Sequence, residues 1–525
     1  MKSLRNDMKF LSKFGNLNKE FLLSVVLLVC LTLPLILPLL LEGSLRTDDG
    51  DWMIIRFSGF VEAVRNGEIP VRWIARLNNG FGYPVTNFLY PAYLYLGIPL
   101  FLFTKSALAS VEILFAGTLI ASAVFCYLWL RRHATVIAAF LGALLYLYAP
   151  YHLYDYTTRG SLGELLALAV VPLVLYALDS RKKVITALSF GLLLLSHNTL
   201  AVLFTPLIFL YEYMVWRKAR SQEQLFGYLF LGIGLSLFFW LPALYDLQYT
   251  AFFQTDVAIW KNYFSSLSLI GLPLLLLLPI TGYLAFIKHE AKYRSPVAIL
   301  FLLVAVFSVF LSTNSSTSLW TILPVQFVQF PFRFLSLFLV SCAYLFSILL
   351  SILSTRVQLL VGSIFLIGVL FLGKEYLIII NEPTKVESFY ATNQATTTIK
   401  NEYMPLVAAT LNADSMKDQV ELSAGSLILK EFRTNTIAFQ VTATQSGKGR
   451  VHQIYFPGWN VKVNDVSQSI TYDKDGLMEF VYSEGSSDVL FAFSKTPIRL
   501  ISEIVSLLSL VVLGIILVRR YFIKT

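Results

Sequence analysis

Three carboxylates, Asp48, Asp49 and Asp51, crowd the short run that follows the chain's first long apolar segment, and Arg46, Arg56, Arg65, Arg72 and Arg76 share the stretch around them. A carboxylate beside an acceptor hydroxyl can act as general base, and arginine can hold a phosphate leaving group by charge-assisted, often bidentate hydrogen bonds. Together these residue types suit group transfer from a phosphate-linked donor. The plainer reading of any single acid is a solvated helix cap at a membrane boundary. No cofactor is fixed by the sequence. Asp49-Gly50-Asp51 admits a divalent cation without requiring one, because Asp-x-Asp arises often by chance in acidic loops.

Other polar residues recur where apolar segments end. The stretch from Pro150 to Ser161 supplies His152, Asp155, Tyr156 and Arg159, and Glu164 follows one turn inside the next apolar segment. An ionised carboxylate there is costly unless paired, so Glu164 is a functional candidate, with a structural Arg159–Glu164 pair as the alternative. His197 and Asn198 interrupt two apolar runs, as ligand contacts or as a helix cap. Gln326, Gln329 and Arg333 lie in an aromatic run, where Arg333 either binds phosphate or snorkels to headgroups.

The elements that must position these residues are membrane helices. Of 525 residues, 56% are hydrophobic and 14% charged, and the mean hydropathy is +0.68, which excludes a water-soluble fold. The net charge of +9 sits in short clusters between apolar segments, as topology determinants do, so no nucleic-acid partner is expected. Cys30, Cys126 and Cys342 lie in apolar segments and form neither a disulfide framework nor a metal-ligand pattern. The basic start, residues 1–20, precedes an apolar run too long for a signal peptide and without a small-x-small cleavage site, so that run is expected to be a retained span.

At about 20 apolar residues per crossing, about twelve spans are expected, at 21–41, 107–130, 134–150, 161–178, 184–197, 199–216, 225–244, 265–287, 296–311, 335–354, 357–380 and 498–518. With the N-terminus cytoplasmic, alternate connections carry Arg131-Arg132, Arg181 to Lys183, Arg217 to Arg220, Lys288 to Arg294, Arg356, and Arg519-Arg520 with Lys524, as the positive-inside rule demands. Residues 87–104, interrupted by Pro91 and Pro99, are assigned to an outer interfacial or re-entrant helix within a first outer loop at 42–105. In that loop Ile54, Phe57, Ser58, Val61 and Val64 form one helical stripe, expected to lie in the interface. Residues 381–497 form the extended hydrophilic region. There Ile437, Phe439 and Val441, then Trp459, Val461 and Val463, then Val489, Phe491 and Phe493 alternate with polar residues, which predicts a small β-sandwich. Ser388 to Asp418 lacks this pattern and is expected at the membrane surface. Trp459 and Tyr455 either hold an acceptor or fill the sandwich core.

These residues also carry a family resemblance. The acidic loop, then Phe60 to Gly67 with Ile69-Pro70-Val71-Arg72-Trp73, Gly80-Phe81-Gly82-Tyr83-Pro84 and Tyr90-Pro91, resembles the first outer loop of bacterial membrane proteins labelled pyruvoyl-tetrahydropterin synthase-related. These in turn resemble GT-C glycosyltransferases. The likeness continues through Tyr156 to Gly160 with Glu164, Ser196-His197-Asn198, Gln329 to Phe334, Glu402-Tyr403-Met404-Pro405 and Tyr455 to Trp459, nearly the whole chain. It implies a GT-C fold, a first-loop Asp that activates an acceptor hydroxyl, and a polyprenyl-phosphate sugar donor. Where related proteins often carry a His between acid and Arg, this chain has Met53, Ile54 and Ile55, a departure from a His-assisted or metal-bound site.

The expectation is therefore an α-helical polytopic membrane protein, GT-C-like, with a C-terminal extracytoplasmic β-sandwich domain. It comprises a cytoplasmic start at 1–20, a transmembrane domain at 21–380, the β domain at 381–497, and a last span with a basic cytoplasmic tail at 498–525. The expected location is the bacterial cytoplasmic membrane. The expected activity is transfer of a sugar from a polyprenyl-phosphate lipid to a cell-surface glycan or glycolipid on its outer face, with membrane lipids as further partners. Asp49, or else Asp51, is the expected base, with Asp48 beside them. Arg56, Arg72, Tyr83, His152, Asp155, Arg159, Glu164, His197, Asn198, Gln329 and Arg333 are the expected phosphate or substrate contacts. The rivals are a transporter or flippase for a lipid-linked precursor, which should show interrupted helices and polar sites near the midplane, and a non-catalytic scaffold.

Overall fold

The computed structural model describes residues 19–40, 44–219, 223–254, 260–322, 325–382, 385–394, 402–408, 411 and 419–522. Residues 1–18 and 523–525, which carry most of the expected basic start and the end of the tail, lie outside the described residues, as does Glu42. The membrane part is a helical bundle whose starts are written locally. Ser106, Thr135 and Ser295 stand before the helices Ala107–Leu130, Val136–Tyr148 and Pro296–Ser312, each accepting a hydrogen bond from the N–H three residues on.

Among the described residues eight helices are long and apolar enough to cross a membrane, or up to ten if each of two bent pairs is one span. Two more of the expected spans are the shorter apolar helices Lys183–Ser196 and Leu272–Phe286, of 14 and 15 residues. The first bend has a local cause. Ala149 is extended ahead of Pro150, and Val136–Tyr148 turns by 43° into Pro150–Arg159, whose last five residues form a π-helical turn closed by Gly160 at φ +61°. Pro296–Ser312 turns by 84° into Asn314–Ile322.

The first loop is packed into the protein. Helix Gly50–Arg65 buries Met53, Ile54, Ile55, Phe57, Phe60 and Val61, a face wider than the single stripe expected. Helix Ala92–Thr104 has 13 residues. At ~1.5 Å per residue it is too short for a hydrocarbon core of about 30 Å.

The hydrophilic region forms two antiparallel sheets. One orders the strands Val420–Leu422, Gly447–Ile454, Leu477–Tyr482 and Thr471–Tyr472; the other orders Ser426–Arg433, Thr436–Ala443, Gly485–Phe493, Trp459–Val463 and Val466–Gln468. Ile437, Phe439 and Val441, Trp459, Val461 and Val463, and Val489 and Phe491 all point inward, as the period-two pattern requires. Phe493, on the same alternation, is only half-buried. Trp459 packs against Trp73 of the first loop and Phe493, so it fills a core, while Tyr455 stacks on Tyr472. The described strands of the sandwich begin at Val420, well after 381.

The preceding segment belongs instead to the bundle. Asn381–Glu382 pairs antiparallel with Ser44–Leu45. Helix Glu387–Thr392 packs on Gly50–Arg65 and Ala107–Leu130. Its Glu387 carboxylate accepts from Ser106 Oγ at 2.8 Å and from the Ala107 N–H at 2.6 Å. Further on, the Ala251 N–H donates to the Met404 carbonyl at 2.9 Å. The expected membrane-surface segment is thus a strap woven into the bundle over its described part.

A buried charge cluster fixes the sandwich and the last helix, Pro497–Phe522, to the rest. Arg499 donates from Nε and Nη2 to Asp246 Oδ2 at 3.2 and 2.8 Å, and its guanidinium lies over Phe456 and Phe493. Asn87 Nδ2 donates to the same oxygen at 2.8 Å, and Arg72 Nη1 donates to Asn87 Oδ1 at 3.2 Å. Breaking a buried pair strands an uncompensated charge and costs ~3–5 kcal/mol. Asp246→Ala is therefore expected to lower the thermal unfolding midpoint in detergent sharply, and the double change Asp246→Ala with Arg499→Met to recover much of the loss. Equal midpoints for the wild type and the single variant would refute the clamp.

Candidate functional site

Glu164 has no exposed surface, and its neighbours explain how it is tolerated. Arg333 Nε donates to Glu164 Oε1 at 2.9 Å, Tyr151 OH donates to Oε2 at 3.2 Å, His197 Nε2 stands 3.5 Å and Arg159 Nη2 3.8 Å from Oε1. The expected Arg159–Glu164 contact therefore exists, but as the longest member of a network centred on Arg333. The His197 Nδ1 accepts from the Leu200 N–H at 3.3 Å, and its Nε2 stands between Glu164 Oε1 and Arg333 Nη2, 3.5 Å from each.

Arg333 Nη1 faces Val328 O at 2.8 Å, Gln329 Oε1 at 2.7 Å and Thr199 Oγ1 at 3.4 Å, and its Nη2 stands 3.5 Å from His197 Nε2. Gln329 has φ +66°, and the Phe330 N–H closes a tight turn back to Val328 O at 2.8 Å. A left-handed non-glycine residue is uncommon and is held only by surroundings that over-determine it. Phe330 then lies between two cations, with the Arg159 and Arg333 guanidinium carbons each 4.8 Å from its ring centre.

Above this network opens a cavity of about 480 Å³. Asp48, Asp49, Arg56, Arg159, His197, Asn198, Gln329 and Arg333 line it, so eight expected residues from four separate stretches of sequence meet there. The acidic loop is held by backbone pairing to the second loop, with Asp48 N donating to Thr158 O and Asp49 N to Arg159 O, both at 2.9 Å. This close approach needs Gly160, because a Cβ there would stand 2.2 Å from Thr47 Oγ1. Asp49 precedes helix Gly50–Arg65 but does not cap it with its side chain; its Oδ2 lies 3.3 Å from Arg159 Nη2. Arg159 Nε is buried with no hydrogen-bond partner among the described residues, as is Asn198 Oδ1, while Asn198 Nδ2 donates to Phe88 O at 2.9 Å. Burial raises the pKa of Asp48, opposed by the Arg159 cation and reinforced by Asp49.

Other expected residues lie elsewhere. Asp51 is not among the lining residues: it is ion-paired with Lys385 and accepts from Tyr390 OH at 3.1 Å, on the strap. Arg72 belongs to the Asp246 clamp and not to the cavity; burial lowers its pKa to about 10. Tyr83 lies behind the wall, its hydroxyl accepting from the Tyr403 N–H at 3.1 Å. His152 is buried 3.3 Å from Ser122 Oγ, and Asp155 is fully buried with both carboxylate oxygens unpartnered among the described residues. Glu164 forms the layer beneath the cavity. Among the described residues no group of three His, Cys, Asp or Glu is arranged to hold a metal ion.

Trp52, Tyr90, Tyr154, Tyr263 and Glu402, which were not among the expected contacts, also line the cavity. Tyr90 is seated by Gly163, where a Cβ would stand 2.1 Å from its ring. Glu402 had one local signal, a lone acid in the resembling run Glu402-Tyr403-Met404-Pro405, but its place in the cavity depends on the strap and has no periodicity to announce it.

No protein-family profile matches the sequence, and no curated protein is similar to it. Among solved structures the chain is similar to the arabinofuranosyltransferase AftD from Mycobacteria, at 16% identity and a TM-score of 0.42, over 68% of this chain and 26% of that one. It is also similar to the Archaeoglobus fulgidus oligosaccharyltransferase solved with zinc and sulfate, at 17% identity and a TM-score of 0.36, over 66% of this chain and 50% of that one. The chain spans half the length of these structures or less.

Gly160→Ala combines a left-handed Cβ, worth ~1–2 kcal/mol, with the contact on Thr47. It is expected to lower stability by at least that amount and to loosen the acidic loop. Unchanged thermal unfolding, with unchanged proteolysis at residues 44–50, would contradict this account of the loop.

Proposed function

We propose that the cavity is the active site of an integral-membrane glycosyltransferase that moves a sugar from a polyprenyl-phosphate lipid to a cell-surface glycan or glycolipid. The observation that carries this reading is Arg159. Its guanidinium bridges Asp49 at the cavity and Glu164 beneath it, stacks on Phe330, and keeps Nε buried and unpartnered among the described residues. Such a held cation suits the phosphate that departs with the lipid, with Arg56 and Arg333 adding positive charge on the same lining. A site poor in water strengthens these interactions. Asn198 Oδ1 suits a sugar hydroxyl donor. The reaction needs a carboxylate to receive the acceptor proton, and the lining offers Asp48, Asp49 and Glu402. The sequence reading gives that role to Asp49.

In this reading the cavity and the sandwich face the outer side of a bacterial cytoplasmic membrane and both termini are cytoplasmic. The basic connections support it: Arg131, Arg132, Arg181 and Lys182 lie at the helix ends opposite Arg159 and His197 along the chain. A cysteine introduced on the sandwich at exposed Ser467 is expected to react with an impermeant maleimide in intact cells, and one at Arg132 only after lysis. The reverse pattern would invert the topology.

The transporter reading retains one favourable observation, the two helix pairs bent by 43° and 84°. One assay separates the two. Purified protein with radiolabelled polyprenyl-phosphate mannose, glucose and arabinofuranose is expected to transfer sugar to membrane acceptors. Arg159→Gln should lower turnover by about 10²–10³-fold, the usual effect of losing one donor to a developing anion. Asp51→Asn should stay close to wild type. Lipid movement in vesicles without transfer would establish the transporter instead.

A further inference from the structure

Glu402 reaches the cavity from the strap, and the structure takes unusual care over its position. The next residue, Tyr403, lies in a flat stack between Phe88 at 5.0 Å and Phe252 at 5.8 Å, with interplanar angles of 9° and 7°. Its N–H donates to Tyr83 OH at 3.1 Å. Met404 accepts from the Ala251 N–H at 2.9 Å, and Pro405 bridges to Thr250. Three consecutive residues are thus anchored, yet the Glu402 Oε2 beside them is buried and without a hydrogen-bond partner among the described residues. A buried, unpartnered carboxylate oxygen on a rigid support needs a reason, because burial without a partner is unfavourable.

Asp49 differs in this respect. Its Oδ2 already has a partner, Arg159 Nη2 at 3.3 Å, so that oxygen is committed to holding the cation. Building on the glycosyl-transfer reading of the cavity, we infer that Glu402 receives the acceptor proton through Oε2, while Asp49 holds Arg159 for the leaving phosphate. In the transfer step the acceptor oxygen forms a bond to the anomeric carbon. The bond from that carbon to the phosphate oxygen breaks, its electron pair leaving with the lipid phosphate, and the hydroxyl proton passes to Glu402. Loss of that proton to solvent restores the site. Tyr83 and Tyr403 are positioning residues in this scheme.

Burial raises the Glu402 pKa to about 7, against the opposing pull of Arg56 and Arg333 and with Asp49 adding to the rise. A base with a pKa near the working pH combines availability with driving force. Only the ionised form accepts a proton, so the wild-type rate should climb as pH rises through about 7 and then level off.

The test uses full-length protein in proteoliposomes with the same radiolabelled donors, following kcat and KM from pH 5.5 to 8.5. Glu402→Gln is expected to lower kcat by about 10²–10⁴-fold, the usual contribution of a general base, with little change in KM and with the acid limb abolished. Thermal unfolding checks that the variant folds. If it does not, Glu402→Asp replaces it and must displace the acid limb. A kcat within a few-fold of wild type, or an acid limb that persists unchanged in either variant, overturns the role of Glu402. Absence of transfer by the wild type with every donor overturns the reading of the cavity itself.

Discussion

A carboxylate buried among membrane helices must find its compensation within the protein, and Glu164 imposes that constraint on most of what surrounds it. In hydrocarbon no water is at hand to solvate the charge, so the cations come to it. Arg333 arrives from the start of the helical stretch Pro331–Leu350, Arg159 from the π turn and His197 from the break between Lys183–Ser196 and the helix that follows. Each donor is in turn held by something further out: the Gln329 turn, the Phe330 ring, the acidic loop. The cavity above them is the space left by this arrangement, already lined by the ends of the same side chains.

Much of this architecture was legible in the sequence, because membrane helices declare themselves by length and apolarity. The alternation in Thr436–Ala443 and Trp459–Val463 likewise named the inward faces of the sandwich. Of the site, the residues at helix ends could be found because a charge or an amide at an apolar boundary is conspicuous. His197, Asn198, Arg159 and Arg333 belong to this group, and all line the cavity.

What stayed hidden depends on contacts between distant segments. Asp49 and Asp51 are two residues apart in one acidic run, yet one faces Arg159 and the other Lys385. A helix start separates their directions, and no local pattern says which side will be hollow. Arg72 looked like a phosphate ligand because its partner Asn87 and the more distant Asp246 bring it into a structural cluster only after folding. The strap, expected only as a segment at the membrane surface, was the least legible part. It has neither the length of a span nor the alternation of a strand, and its structure comes from what it touches.

That strap has a consequence for biogenesis. The Ser44–Leu45 strand waits for Asn381–Glu382, the start of Ala107–Leu130 waits for the Glu387 carboxylate, and Glu164 waits for Arg333, 169 positions later. A chain synthesised from its N-terminus therefore inserts most of its helices before the cavity can close. During that interval Glu164 has Arg159 and His197 nearby but not its shortest ion-pair partner, and the first loop lacks its cover. The bundle is assembled early and completed late, so a ribosome stalled before residue 333 would leave inserted helices in the membrane around an unfinished, charge-bearing core.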